Sequence, residues 1–122
     1  MKNDKKVMIV DDEMIFAMDM KMTLERLGYT VPKPESRGVQ AVERIRTEEP
    51  NCIFLDVRLA GPIDGLEVAR RVRAFSTVPI IFITGYEDTE IESKIRAIPS
   101  TDVLYKPFPT ENIEQKLREL LS

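Results

Sequence analysis

At 122 residues, 43% of them apolar and 32% charged, the chain is long enough for one hydrophobic core and has the make-up of an ordinary globular domain. The net charge of −3 gives no electrostatic footprint for nucleic acid, and the absence of histidine excludes Ser-His and Cys-His catalysis and histidine metal sites. The single cysteine, Cys52, excludes an internal disulfide, and no apolar run approaches the roughly 18 residues of a spanning helix, so a reduced, cytoplasmic setting without membrane contact is expected.

The first apolar run, Val7 to Val10, shows no alternation, which is how a strand covered on both faces reads. Ile15, Met18 and Met22, with Phe16, Met20 and Leu24 beside them, predict a helix with a broad apolar face. It stops at Leu27-Gly28, where Gly28 suits the C′ position. Tyr29 to Val31 is a short strand followed at once by Pro32. Proline cannot donate to a ladder, so this strand belongs at a sheet edge. Val39, Val42 and Ile45 predict a second helix before Pro50, and Ile53 to Leu55 a third strand. Asp64 is placed to cap a helix carrying Leu66, Ala69, Val72 and Phe75. Its Arg70, Arg71 and Arg73, beside Glu67, read as a solvated face. Ile80 to Ile83 is a fourth strand, and Ile91, Ile95 and Ile98 mark a helix stopped by Pro99. Val103 to Tyr105 is the last strand, and Ile113, Leu117, Leu120 and Leu121 lie on a helix starting near Thr110. The methionines read as core filler and Cys52 as a buried, inert thiol.

The order βαβαβαβαβα implies an α/β fold with helices on both faces of a parallel sheet, in one domain spanning residues 1–122. A doubly wound five-stranded sheet in the order 2-1-3-4-5 suits this size and puts the proline-terminated second strand at an edge.

In such a sheet, ligands bind beyond the carboxyl ends of the strands. Asp11, Asp12 and Glu13 follow the first strand, Asp56 the third, Thr84 the fourth and Lys106 the fifth. Each alone has a bland reading as a helix cap or surface residue. Together they bring carboxylates, a hydroxyl and an ammonium to one edge. Two carboxylates about 4 Å apart repel by roughly 4 kcal/mol at an effective dielectric near 20, so the cluster calls for a cation. Mg²⁺ suits an all-oxygen site and shares its shell readily with phosphate oxygens. With Lys106 it would let the edge accept a phosphoryl group that bare carboxylates would repel.

The segments Val7-Met8-Ile9-Val10-Asp11-Asp12-Glu13, Phe54-Leu55-Asp56, Asp64-Gly65, Pro79-Ile80-Ile81-Phe82-Ile83-Thr84-Gly85 and Lys106-Pro107-Phe108 closely resemble the receiver domains of two-component response regulators, in order and over essentially the whole chain. The resemblance implies a flavodoxin-like (βα)5 fold and a phosphorelay switch rather than an enzyme acting on a separate substrate. It makes Asp56 the phosphoacceptor. Asp11, Asp12, Asp56 and the backbone carbonyl of Arg58 become the Mg²⁺ ligands, and Thr84 and Lys106 the binders of phosphoryl oxygens. A cis peptide is implied before Pro107. The implied partners are a sensor histidine kinase or histidine phosphotransfer protein and a downstream protein target, with no direct nucleic-acid contact. A degenerate receiver that binds partners constitutively is the alternative. A Mg²⁺-dependent phosphatase would need two aspartates spaced two apart after the first strand, whereas Asp11 and Asp12 are adjacent. A flavin-binding sheet would place a neutral phosphate loop where Asp11-Asp12-Glu13 stands.

Three positions depart from the family pattern. Gly65 lies one position later after Asp56 than is usual, which alters the loop that carries Arg58. Val103 stands where the family has its switch aromatic, while Tyr105, adjacent to Lys106, points to the opposite side of the strand by simple alternation. Ile98-Pro99-Ser100-Thr101-Asp102 replaces a small Gly-Ala turn before the last strand.

Overall fold

The computed structural model describes residues 4–85 and 87–121. Four strands, β1 (Val7–Val10), β2 (Cys52–Asp56), β3 (Ile80–Thr84) and β4 (Thr101–Tyr105), form one parallel sheet in the order β1-β2-β3-β4. Five helices join and flank them: α1 (Met14–Arg26), α2 (Gly38–Glu48), α3 (Gly65–Arg73), α4 (Thr89–Arg96) and α5 (Thr110–Leu121). Every residue of β1, β2 and β3 is buried, as the unalternating apolar runs require.

Strand alternation divides the interior in two. Met8, Val10, Ile53, Leu55, Ile80 and Phe82 pack with Ala41, Val42 and Ile45 of α2, with Leu66, Ala69 and Val72 of α3, and with Ile95 of α4. Val7, Ile9, Cys52, Phe54, Ile81 and Ile83 pack with Ala17, Met20 and Leu24 of α1 and with Ile113 and Leu117 of α5. Cys52 is buried, and burial pushes its thiol up to about 12, well away from nucleophilic chemistry near neutral pH.

The expected fifth strand, Tyr29 to Val31, does not form a ladder among the described residues. Beside β1 there are isolated parallel bridges, Lys6 to Thr30 and Val10 to Glu35. The Thr30 N–H donates to the Lys5 carbonyl. Continuing at a period of two, the next donors would be residues 32 and 34, and both are prolines. Pairing resumes only at Glu35, whose N–H donates to the Ile9 carbonyl at 3.0 Å.

The helix ends follow local rules. The Gly28 N–H (φ 100°) donates to the Glu25 carbonyl and the Tyr29 N–H to that of Leu24, the paired bonds of a Schellman stop. Asp64 caps α3 by accepting from the Glu67 N–H at 2.9 Å. Arg70 and Arg71 pair with Glu67 on the solvated face, as read from the sequence. Arg73 does not belong with them. Its guanidinium donates to the carbonyls of Pro99 (2.7 Å), Ser100 (2.9 Å) and Ser76 (3.1 Å) and pins the turn before β4 to the end of α3.

The apolar face of α1 also differs from expectation. Ala17, Met20 and Leu24 are the buried set, while Ile15, Met18 and Met22 face outward, Ile15 being 91% exposed. On α2, Val42 and Ile45 are buried and Val39 is exposed. Among the described residues no helix is long and apolar enough to cross a membrane.

Candidate functional site

The parallel strands all end at the same edge, so the residues that follow them meet there. Asp11 follows β1 and is fully buried; Asp56 closes β2 at 6% exposure; Thr84 closes β3 at 5%. Lys106 follows β4, and its N–H donates to the Thr84 carbonyl at 2.8 Å, which fixes where its side chain departs. Asp12 and Glu13 are exposed beside Asp11. A cleft of about 400 Å³ is lined by Asp12, Glu13, Asp56, Arg58, Thr84, Gly85 and Lys106. A larger cleft of about 540 Å³ at the opposite edge, lined by residues 25–31, gathers no comparable set of reactive groups.

The side chains form one charged network. Lys106 Nζ donates to Asp11 Oδ2 and Glu13 Oε1, each at 2.9 Å, and to Asp56 Oδ2 at 3.5 Å. The other oxygens of both buried carboxylates accept from backbone. Asp11 Oδ1 takes the Glu13 N–H at 2.8 Å, and Asp56 Oδ1 the Arg58 N–H at 3.1 Å. Asp11, Asp12 and Asp56 each offer a carboxylate oxygen, and these three atoms lie within 4.8 Å of one another. Such crowding adds to burial in raising the carboxyl of Asp56. Burial first, then the hydrogen bond and charge of Asp11, push its carboxyl from 3.8 up to about 7, against the Arg58 N–H and the Lys106 charge. Burial alone would lower the Lys106 ammonium, but hydrogen bonds to Glu13 and Asp11 and the charges of Asp11 and Asp56 turn the net shift upward. Three converging oxygen donors, one carboxyl already inclined to hold a proton, fit a hard divalent cation such as Mg²⁺.

The loop after β2 is held by backbone packing. The Gly65 N–H donates to the Val57 carbonyl at 2.8 Å. A Cβ on Gly65 would stand 2.0 Å from the Asp56 carbonyl oxygen, so only glycine lets α3 start this close to the acidic residue. The Arg58 side chain is exposed at the rim of the cleft. The Lys106–Pro107 peptide bond is cis. Val103 is half-buried against the α2–α4 core. Tyr105 corrects the expectation that it points away: residues two apart share a face of a strand, so it lies on the same side of β4 as Val103, where its hydroxyl donates to the Glu92 carboxylate on α4.

Two contacts escape sequence reasoning. Glu13 takes part through its hydrogen bond to Lys106, and Phe16 presents its ring to the same ammonium. Glu13 stood in the acidic run, but nothing in its position showed that its side chain would turn to the lysine. Phe16 carries only the signal of an apolar residue on an amphipathic helix.

The structure is thus an α/β protein with helices on both faces of an open parallel sheet, gathering carboxylates, a hydroxyl and a lysine at the carboxyl edge, where ligands of such sheets bind. A family model, the response regulator receiver domain, matches residues 7–118, and the chain belongs to that family, the receivers of two-component signalling. It is 31% identical over 119 residues to the "Probable transcriptional regulator ycf27" of Cyanophora paradoxa, covering 98% of this chain and 49% of that protein. The chain therefore spans about half the length of this curated relative. A response regulator receiver protein from Sinorhizobium medicae superposes with a TM-score of 0.84 at 29% identity, covering 98% of this chain and 95% of the other. The Vibrio cholerae chemotaxis protein CheY4 does so with a TM-score of 0.86 at 27% identity, covering 98% and 100%.

Proposed function

We propose that this receiver accepts a phosphoryl group on Asp56, with Mg²⁺ bound, and thereby switches its affinity for a protein partner. The observation that carries this reading is the setting of Asp56: a nearly buried carboxylate that opens on the cleft, with two further carboxylates and a lysine beside it. In the transfer, an Asp56 oxygen attacks phosphorus, the P–N bond of a donor phosphohistidine breaks, and its electron pair returns to the imidazole, leaving an acyl phosphate. Asp11, Asp12, Asp56 and the Arg58 carbonyl would hold Mg²⁺, which would neutralise carboxylate charge and orient the phosphoryl oxygens. Lys106 and Thr84 would bind the remaining oxygens, so that the contribution of the chain is positioning and charge. It would act on no separate substrate and would slowly hydrolyse its own acyl phosphate.

The donor would be a sensor histidine kinase or a histidine phosphotransfer protein in the cytoplasm. The outward stripe of Ile15, Met18 and Met22 supports this, since α1 starts directly after Asp12 and Glu13 at the cleft. The net charge of −3 favours output through a protein rather than nucleic acid. In this reading the 30–35 segment stands in for the second of five strands, in the order 2-1-3-4-5, within a single domain.

Intact mass after incubation with acetyl phosphate, with and without Mg²⁺, tests the proposal. One metal-dependent phosphoryl adduct is expected in the wild type and none in Asp56→Asn. A wild-type chain that gains no adduct at millimolar Mg²⁺ would instead be a constitutive interaction module, the reading favoured by Val103 at the switch position.

A further inference from the structure

We propose that Phe16 is a positioning residue for Lys106, a neutral seat that holds the ammonium over the acidic cleft by its ring face. The inference rests on the acceptor reading of Asp56. Lys106 Nζ stands 4.2 Å from the centroid of the Phe16 ring, inside the roughly 6 Å over which a ring quadrupole attracts a cation. The ring itself is fixed. It sits in the first turn of α1, is half-buried, and meets the Phe108 ring edge to face, with centroids 6.0 Å apart and planes at 87°. Phe108 follows Lys106 by two positions, so the segment after β4 that delivers the lysine also delivers the ring that braces its seat.

Among the described residues the other partners of the ammonium are oxygens, and each has a competitor. Asp11 and Asp56 belong to the carboxylate set that fits a divalent cation, and Glu13 is exposed to water. A lysine held by those groups alone would lose its anchors as the site fills, and its four-carbon stem is flexible enough to swing away. The Phe16 face binds no metal and carries no net charge to repel a phosphoryl group. It also leaves the three N–H donors free to turn to phosphoryl oxygens. A seat of this kind keeps the ammonium near the cleft in both states of the site.

The test compares Phe16→Leu, which keeps apolar bulk, with Phe16→Trp, which keeps and enlarges the ring face. In the metal-free protein, the Lys106 ε-methylene protons, assigned by their loss in Lys106→Met, should be shifted upfield by the ring in wild type and Phe16→Trp. They should return to ordinary positions in Phe16→Leu. Phosphorylation by acetyl phosphate proceeds by Asp56 attack on phosphorus, with the P–O bond breaking and acetate leaving with its electron pair. At saturating Mg²⁺, Phe16→Leu should gain the adduct about five-fold more slowly, the factor that follows from a cation–π contact at a partly exposed site. Phe16→Trp should keep at least the wild-type rate. Circular dichroism melts of both variants verify that they fold. A wild-type rate in Phe16→Leu, an equal slowing in both variants, or no upfield shift in wild type would overturn the seat while leaving Asp56 as acceptor. A wild type that gains no adduct would overturn the acceptor reading, and the seat with it.

Discussion

Asp56 carries the strain of the site in a form that can be measured without any partner. In the folded chain its carboxyl holds a proton up to about pH 7, whereas in the unfolded chain it releases it near 3.8. Between these values the folded state binds more protons than the unfolded one. The stability lent by protonated Asp56 is therefore complete below about 3.8 and is lost as the pH rises through about 7. In urea unfolding of the metal-free protein, the wild type should lose stability relative to Asp56→Asn on going from about pH 5 to about pH 8, by on the order of 2 kcal/mol at about 1.4 kcal/mol per unit. Asparagine cannot ionise, and every other titrating group is common to both proteins. Parallel curves would mean that the burial of Asp56, and with it the crowding by Asp11, is relieved in solution. Arg73 makes a complementary point. Its place in a basic run groups it with Arg70 and Arg71, yet it binds three backbone carbonyls on two loops. A charge run says nothing of what lies beyond the end of its helix.

Among the elements, α1 shows most clearly where periodicity stops being informative. The helix is apolar around more than half its circumference, so Ile15, Met18 and Met22 satisfy the helical repeat as well as Ala17, Met20 and Leu24 do. The sheet accepts the second set. Ala17 lets the helix approach closely, and Leu24 ends in the Schellman turn that leads on toward the edge segment. Ile15→Gln should therefore change the unfolding free energy by less than about 0.5 kcal/mol, as surface changes do. Leu24→Ala should cost about 2–5 kcal/mol, as a buried truncation does. A large loss for Ile15→Gln in chemical denaturation would mean that the outward stripe is covered in solution. The edge segment was legible in part. Pro32 marked the end of the strand, but Pro34 removes the following donor as well, and the two together reduce a strand to bridges. Strands β1, β2 and β3 were legible because short unalternating apolar runs have few other uses, whereas β4 was legible only from Val103, since the polar Thr101 and Asp102 that open it read as turn residues.

At the scale of the molecule, the site was legible because topology does most of the placing. A parallel sheet collects whatever follows its strands, so Asp11, Asp56, Thr84 and Lys106 could be grouped from chain order alone. Glu13 and Phe16 could not, since their parts depend on side-chain direction within a turn of α1. The sheet also does something unrelated to the site. Its strands send alternate side chains to two interiors that share no member, with α2, α3 and α4 on one side and α1 and α5 on the other. Thermodynamically it is a partition. A void opened on one side cannot be filled by relaxation on the other, so damage to the two halves should be summed rather than shared. Ile45→Val, beneath α2, and Ile113→Val, beneath α5, should each cost about 0.5–1.5 kcal/mol. The double variant should match their sum within about 0.5 kcal/mol in urea unfolding. A coupling energy well above that would mean the sheet transmits packing strain across its width. Additivity would mean that sequence change can accumulate on one face of this protein without regard to the other.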